Sequence, residues 1–423
     1  MCKKYVTPLF VFWLLLLPAS APALELIKDA LYLNTYLRGT GMIGKDFNEG
    51  QDLSKGANFE LTLFDDSYFE TELVYNHAKA ITAHAQLALN NFNLFYYTGN
   101  TNADLVFQNF YAEAHDFGAP GNSFWIGSRK YRRIDEHTFF GAGYKFAITP
   151  RLSAEAVQGV RKDFAYWGAQ DGGHDITLAC DKPFRMTSII ALEQSFGTNG
   201  NLVLLGEFQR VGPVKAEYKT SSATYTYDLA PAHGALGGAE VNLWGTGWNT
   251  STAATYGFGD TAGGPLSKIN AQGEPVVFYD SVFTKGVTVL HYKNYSQRFT
   301  FTQSGAIARD GYSASWLLGF SFDDFRFARN KAMNIVQARP FYHITPRHHV
   351  GADISRTSFF NGYTRPGYFV LAPVYRYSLM QDNYCKPYLQ LFFANGFYDH
   401  AHKIYDLKKR YTWTLGMQFE VWF

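Results

Sequence analysis

The sequence has no series of long apolar runs. Of its 423 residues 47% are hydrophobic, yet only one segment, residues 6–17, comes near the length of a membrane-spanning helix. Such a helix needs roughly 20 consecutive apolar residues, so a protein built from transmembrane helices is excluded. Charged residues make up only 17% of the chain, which also excludes a polar disordered chain and a coiled coil.

The one apolar segment has the features of a secretory signal peptide. Lys3 and Lys4 precede it, and small residues follow at positions 19–23. Cleavage after Ala23 is expected, because cleavage after Ala21 would leave Pro22 as the first mature residue. An uncleaved anchor helix is disfavoured because the apolar core is short. We therefore predict a signal peptide at residues 1–23 and one domain at residues 24–423, with no second domain or linker.

Cysteine is scarce, and no charge of one sign predominates. Only Cys180 and Cys385 follow the signal peptide, too few to staple a domain of this size, and nothing in the sequence decides whether they pair. The signal peptide holds two lysines and no acidic residue, so basic and acidic side chains are equal in number after its removal. Balanced charge argues against nucleic acid as a partner.

Aromatic residues are abundant, with 37 Phe, 29 Tyr and 8 Trp. They lie in short runs in which apolar and polar residues alternate. Over residues 411–423, the odd positions are Tyr411, Trp413, Leu415, Met417, Phe419, Val421 and Phe423. The even positions are mostly polar. This pattern is typical of a transmembrane β-strand with aromatic residues at both interfaces, and a soluble sheet is the alternative. We expect the strand ending at Phe423 to be recognised by the barrel-assembly machinery.

Similar runs recur along the chain. In the first, Leu31, Leu33, Thr35 and Leu37 alternate with Tyr32, Asn34, Tyr36 and Arg38. Tight turns are predicted at residues 64–66, 148–151, 322–324 and 344–347, all at one rim. Long connections are predicted at residues 90–104, 229–274 and 396–410. Candidate strands number about 16 to 20. The sequence thus predicts an all-β, closed antiparallel transmembrane β-barrel in the outer-membrane lipids, with short periplasmic turns and long extracellular loops.

A barrel of this size leaves an aqueous channel, so its default function is passage of a solute. With odd positions facing lipid, Trp422, Tyr36 and Tyr32 point into the lumen beside Arg38. Aromatic rings in a wet lumen suit a ligand with flat apolar faces and polar edges, and sugars are such ligands. The alternative is that Tyr36 and Trp422 merely fill the wall.

The densest polar segment is at residues 125–137. If it alternates throughout, Arg129, Tyr131, Arg133, Asp135 and His137 share one face. Arginine and carboxylate groups can each bind two neighbouring hydroxyls, which favours polyols. A generic porin lumen, general or anion-preferring, is the alternative.

No catalytic or phosphate-binding motif is present, and we expect neither an enzyme nor a cofactor. A barrel lipase would need a Ser and His pair on the lipid face. The pairs His348 with His349 and His400 with His402 are more simply solvated loop residues than metal ligands. A secreted sugar-binding sandwich is the remaining alternative.

Five segments resemble the maltoporin family of sugar-specific porins. They are residues 36–41 (YLRGTG), 125–137 (WIGSRKYRRIDEH), 339–346 (RPFYHITP), 385–387 (CKP) and 416–423 (GMQFEVWF), and they follow the family order across the mature chain.

The resemblance implies an eighteen-stranded barrel, with sixteen strands as the alternative, and a homotrimer that passes maltose and maltodextrins. By position, Tyr36, Tyr384 and Trp422 match the aromatic slide of the family, Tyr384 standing where a Trp is usual. The residues that match its polar track are Arg38, Glu60, Arg133, Asp135 and His137. After His137 the chain departs from the family, because the loop is shorter and lacks an inward acid and a constriction tyrosine. The pore is therefore expected to be wider or tuned to another sugar.

Overall fold

In the computed structural model, the described residues are 24–44, 68–90, 104–132, 136–162, 168–171, 174–177, 179–180, 184–219, 224–229, 231–259, 278–280, 288–291, 297–324, 331–360, 367–379, 387–399 and 411–422. The predicted signal peptide lies outside them. No helix in these ranges is long and apolar enough to span a bilayer.

The regular secondary structure of the described residues consists entirely of β-strands. Those of the first half of the chain are β1 (Leu24–Ile27), β2 (Leu31–Gly44), β3 (Tyr68–His77), β4 (Ile81–Asn90), β5 (Asp104–His115), β6 (Ser123–Arg132), β7 (Glu136–Thr149), β8 (Leu152–Lys162), β9 (Gly168–Asp171), β10 (His174–Thr177), β11 (Ala179–Cys180), β12 (Phe184–Ser195) and β13 (Gly200–Val211). Those of the second half are β14 (Val214–Lys219), β15 (Thr224–Leu229), β16 (Ala232–Gly245), β17 (Trp248–Gly259), β18 (Phe278–Asp280), β19 (Thr288–His291), β20 (Gln297–Arg309), β21 (Tyr312–Asp324), β22 (Lys331–His343), β23 (His348–Phe360), β24 (Tyr368–Ser378), β25 (Tyr388–Tyr398) and β26 (Tyr411–Trp422).

Eighteen long antiparallel strands close into one barrel, which confirms the predicted fold class and strand number. Closure occurs where β2 pairs with β26, with Tyr36 opposite Trp422. The short β1 pairs with β2 just beyond the end of β26, where Leu24 lies opposite Leu33. The other short strands form two small sheets. Because the barrel is closed, every one of its strands has a paired neighbour on both sides.

Side chains alternate between the two faces of the wall, as the sequence predicted. In β26, Leu415 is 51% exposed on the outer face, whereas Thr414 and Gln418 are 0% and 2% exposed on the inner face. The outer face carries exposed apolar residues around the barrel, among them Phe140, Ile190 and Phe393. A water-soluble protein rarely exposes so much contiguous apolar surface.

The inner face is less polar than expected. Buried apolar side chains from β21 to β25, including Met333, Val370 and Phe392, form one cluster on the lumenal side. A second cluster on β6 to β16 includes Trp125, Ile189 and Leu205. On these strands the inner face therefore carries apolar as well as polar residues, and the two faces do not differ simply in polarity.

The structure confirms the tight turns predicted at residues 148–151 and 344–347 and contradicts the one predicted at residues 322–324. At one rim, Thr149 Oγ1 accepts a hydrogen bond from the Leu152 amide at 3.0 Å, and Thr345 Oγ1 accepts one from the His348 amide at 3.1 Å. Both threonines thus shape matching tight turns. The turn predicted at residues 322–324 for the same rim is wrong, because Asp324 ends β21 at the opposite rim. Residues 64–66 lie outside the described residues.

The long connection predicted at residues 229–274 is also wrong over most of its described part. This glycine-rich region contains β16 and β17, which pair along their whole length. Glycine and alanine have low strand propensity, but pairing with neighbours in a closed wall determines the structure here.

Candidate functional site

The barrel seam, where β2 meets β26, brings the first and last predicted site residues together. Tyr36 lies opposite Trp422, and Arg38 lies opposite Glu420. Antiparallel pairing places directly opposed residues on the same face, so β2 and β26 contribute to one stretch of wall. The structure describes the backbone of Trp422 but not its side chain.

Tyr36 is a half-buried aromatic residue on the inner face. Its hydroxyl donates to Glu420 Oε1 at 2.5 Å, and Arg38 Nη1 donates to the same hydroxyl at 3.5 Å. The ring of Tyr68 lies 5.7 Å from its centroid, tilted by 53°. The wall therefore offers two adjacent rings next to a carboxylate and a guanidinium group. Such a surface can stack on an apolar ligand face and hydrogen-bond its polar edge.

Glu420 accepts a second tyrosine hydroxyl, from Tyr388 on the neighbouring strand β25. The guanidinium group of Arg376 lies over the Tyr388 ring, 4.3 Å from its centroid, and 4.2 Å from the centroid of Phe341 on its other side. Glu420 is 4% exposed and Tyr388 is 8% exposed, so this part of the wall is tightly packed.

Further along the wall, residues of β3 to β8 line a polar recess of about 470 Å³. In it, Glu72 accepts from His84 Nδ1 at 2.8 Å, and His84 stacks on Tyr111 at 4.5 Å. Arg129 lies 4.7 Å from the Tyr111 ring centre and 3.6 Å from Glu113. The recess thus combines charged groups of both signs with flat side chains, which suits a polar solute.

The predicted polar ladder at residues 129–137 does not lie on one strand. β6 ends at Arg132 and β7 begins at Glu136, and the two strands pair so that His137 lies opposite Tyr131. Arg129 faces the lumen, where its guanidinium group lies 5.0 Å from the Trp125 ring centre. The register still puts Arg129, Tyr131 and His137 at positions of one face, as predicted, but across two paired strands and not along one.

The remaining predicted site residues are only partly covered. Glu60, Arg133, Asp135 and Tyr384 lie outside the described residues, and His137 is described by its backbone alone. Cys385, whose pairing with Cys180 the sequence does not decide, also lies outside them. Of the eight predicted residues, the structure brings together Tyr36 and Arg38 by contact, and Trp422 by register.

Sequence reasoning missed Tyr68, Tyr388 and Arg376. The signal for Tyr388 was available, because Tyr388, Gln390 and Phe392 alternate with three outward apolar residues. Phe392 obscured that signal, since it is an apolar residue on the inner face.

The expectation that His348 and His349 are solvated loop residues is wrong, because both lie in β23 and His349 is only 1% exposed. His349 Nε2 lies 3.0 Å from Ser378 Oγ, but both residues are buried on the inner face, not on the lipid face that a barrel lipase requires. His348 is on the outer face, where its Nδ1 lies 2.6 Å from the Tyr375 hydroxyl. Within the described ranges, no three His, Cys, Asp or Glu residues group so that they could hold a metal ion.

The comparison with known protein families identifies one family that matches the chain. The sequence model of the LamB porin family matches residues 31–423. No curated protein matches the chain.

Several solved structures are similar to the chain at low identity. OmpT of Vibrio cholerae is 9% identical with a TM-score of 0.46, over 93% of this chain and 99% of its own. The outer membrane channel DcaP of Acinetobacter baumannii is 10% identical with a TM-score of 0.45, over 93% and 98%. OccK3 of Pseudomonas aeruginosa is 8% identical with a TM-score of 0.45, over 94% and 97%. The family match spans nearly the whole barrel, and the chain belongs to the LamB porin family, as an outer-membrane diffusion channel and not an enzyme.

Proposed function

We propose that the channel passes sugars by passive, saturable diffusion along the seam side of its lumen, with maltose, maltodextrins or related glycosides as substrates. The observation that carries this proposal is the half-buried Tyr36 ring, next to Tyr68 and held between Glu420 and Arg38. An aromatic face costs free energy in a wet lumen unless a ligand covers it. Sugars have both the apolar face and the hydroxyl edge that this surface complements.

Several further parts of the proposal come from the family resemblance and from the sequence pattern. The sugar track would include Glu60, Arg133, Asp135, His137, Tyr384 and Trp422 together with Tyr36 and Arg38. The functional unit would be a homotrimer in outer-membrane lipids, with residues 1–23 removed as a signal peptide. The short turns would face the periplasm, and the assembly machinery would recognise the strand that ends at Phe423.

The test is a titration of the ion current through the reconstituted pore with maltodextrin. Tyr36→Ala removes the ring, and a stacking contact contributes about 1 kcal/mol, so the half-blocking concentration should rise about fivefold. The matched control is Tyr256→Ala, which removes an outer-face tyrosine that is 47% exposed. It should leave the block unchanged. A wild-type current that is insensitive to maltodextrin, sucrose and glucosides would overturn the proposal.

A general or anion-preferring porin is the second candidate. The recess on β3 to β8 favours the general porin, because Arg129, Lys130 and Lys145 line it together with four glutamates, Glu70, Glu72, Glu113 and Glu155. Under this candidate, Arg129→Gln shifts the reversal potential in a salt gradient toward cations, and sugars have no effect on the current. Under the sugar proposal, Arg129→Gln leaves the saturable block in place.

A further inference from the structure

One carboxylate on the lumenal wall joins tyrosines from two different strands. Tyr36 on β2 donates to Glu420 Oε1, and Tyr388 on β25 donates to Glu420 Oε2. Each carboxylate oxygen therefore has its own phenol donor. Two charge-assisted hydrogen bonds, one to each oxygen, hold the carboxylate in place, and the carboxylate in turn holds both tyrosine hydroxyls.

The hydroxyl of Tyr388 binds Glu420, and its ring lies against Arg376. The guanidinium group of Arg376 is packed between Tyr388 and Phe341, and Arg376 Nη2 also donates to Gln390 Oε1 at 3.3 Å. A cation stacked on both sides has few alternative positions, and Tyr388 is nearly fully buried beside it. The contacts run without a gap from Arg376 through Tyr388 and Glu420 to Tyr36.

We propose that Tyr388 and Arg376 are positioning residues that set the affinity for sugar by fixing the Tyr36 ring through Glu420. Neither side chain has to touch the sugar. A tyrosine that is free to rotate must be ordered when a sugar stacks on it, and that ordering weakens binding. A ring that is already fixed avoids this loss. The inference rests on the proposed function, because it concerns the same stretch of wall.

The test uses Tyr388→Phe, which removes one hydroxyl and keeps the ring over Arg376. The half-blocking maltodextrin concentration should rise about threefold to tenfold, the effect of part of one charge-assisted hydrogen bond. Conductance without sugar should equal that of wild type, because the wall keeps its shape. The matched control is Tyr375→Phe, which removes an outer-face hydroxyl that contacts His348 Nδ1 at 2.6 Å. This control should change neither quantity.

A double-mutant cycle shows whether the effect passes through Glu420. If Tyr36→Phe and Tyr388→Phe act through the same carboxylate, the double variant should bind sugar more tightly than the product of the two single effects predicts. Arg376→Lys keeps the charge without the planar stacking, so its affinity should fall between wild type and Arg376→Gln. The urea midpoint of each variant separates weakened positioning from unfolding.

The outcomes separate the inference from the proposed function. If sugar does not block the wild-type pore, the proposed function fails. If sugar blocks the wild type and Tyr388→Phe alike, or if the cycle is strictly additive, the inference alone fails. A change in conductance that parallels the change in block would mean that Tyr388 shapes the pore, which also overturns the inference.

Discussion

The ion pair between Arg339 and Asp353 on the inner face gives a quantitative prediction about stability. Arg339 Nε lies 2.5 Å from Asp353 Oδ1, and Arg339 Nη2 lies 2.7 Å from Asp353 Oδ2. The side chains are only 11% and 6% exposed. Removal of one partner leaves the other charge buried, which typically costs about 3–5 kcal/mol. We therefore expect Arg339→Met or Asp353→Leu to lower the free energy of unfolding by about this amount.

An exposed ion pair provides the control. Arg356 and Asp399 lie 2.7 Å apart, and their side chains are 41% and 43% exposed. Exposed pairs contribute about 0–1 kcal/mol, so Asp399→Ala should have a small effect. The double variant Arg339→Met with Asp353→Leu should be close to wild type, because no buried charge remains. The assay is urea unfolding of the barrel in lipid vesicles, followed by tryptophan fluorescence. Equal losses for Asp353→Leu and Asp399→Ala would show that burial of the Arg339 and Asp353 pair does not set its contribution to stability.

Two further predictions concern the two faces of β26. Gly416→Ala should destabilise the barrel by about 1–3 kcal/mol, because the new Cβ would lie 2.1 Å from Phe392 Cζ. Gly206→Ala, whose Cβ would have no atom nearer than 4.0 Å, should change the urea midpoint little. On the outer face, Leu415→Arg should cost about 2–4 kcal/mol in the same assay, because Leu415 faces the bilayer. Asp310→Arg in an exposed turn is its control, and an equal effect of both arginines would place Leu415 in water.

The barrel could be predicted from the sequence because a closed wall in lipid imposes a strict two-residue period. That period is clearest in β26, where the outer face is apolar and the inner face is polar. The same reasoning placed Tyr36 and Arg38 on the inner face at the seam, where the structure has them. It failed on β16 and β17, whose outward residues include Gly237, Ala239 and Ala254. Small residues weaken the apolar signal without preventing strand pairing.

The candidate site was less predictable, because its contacts join strands that are distant in sequence. Tyr36 and Glu420 meet only because the first and last long strands pair, and the sequence indicated that the strands close but not which side chains touch. Arg376 faces two aromatic rings from β22 and β25. No local period reports such a contact, since it depends on the register of three strands. The pairing of Arg132 with Glu136 on two different strands was missed for a different reason, because alternation was assumed to continue along one strand.

Sugar binding in the lumen is tested most directly by the rate of sugar flux into vesicles that contain the channel, measured against sugar concentration. A channel with weak stacking and hydrogen-bonding sites becomes occupied, so maltodextrin flux should level off as concentration rises. Flux of a size-matched uncharged solute without a sugar ring should rise in proportion to its concentration. Proportional flux for both solutes, at equal rates, would contradict a sugar-binding track and leave an unselective pore.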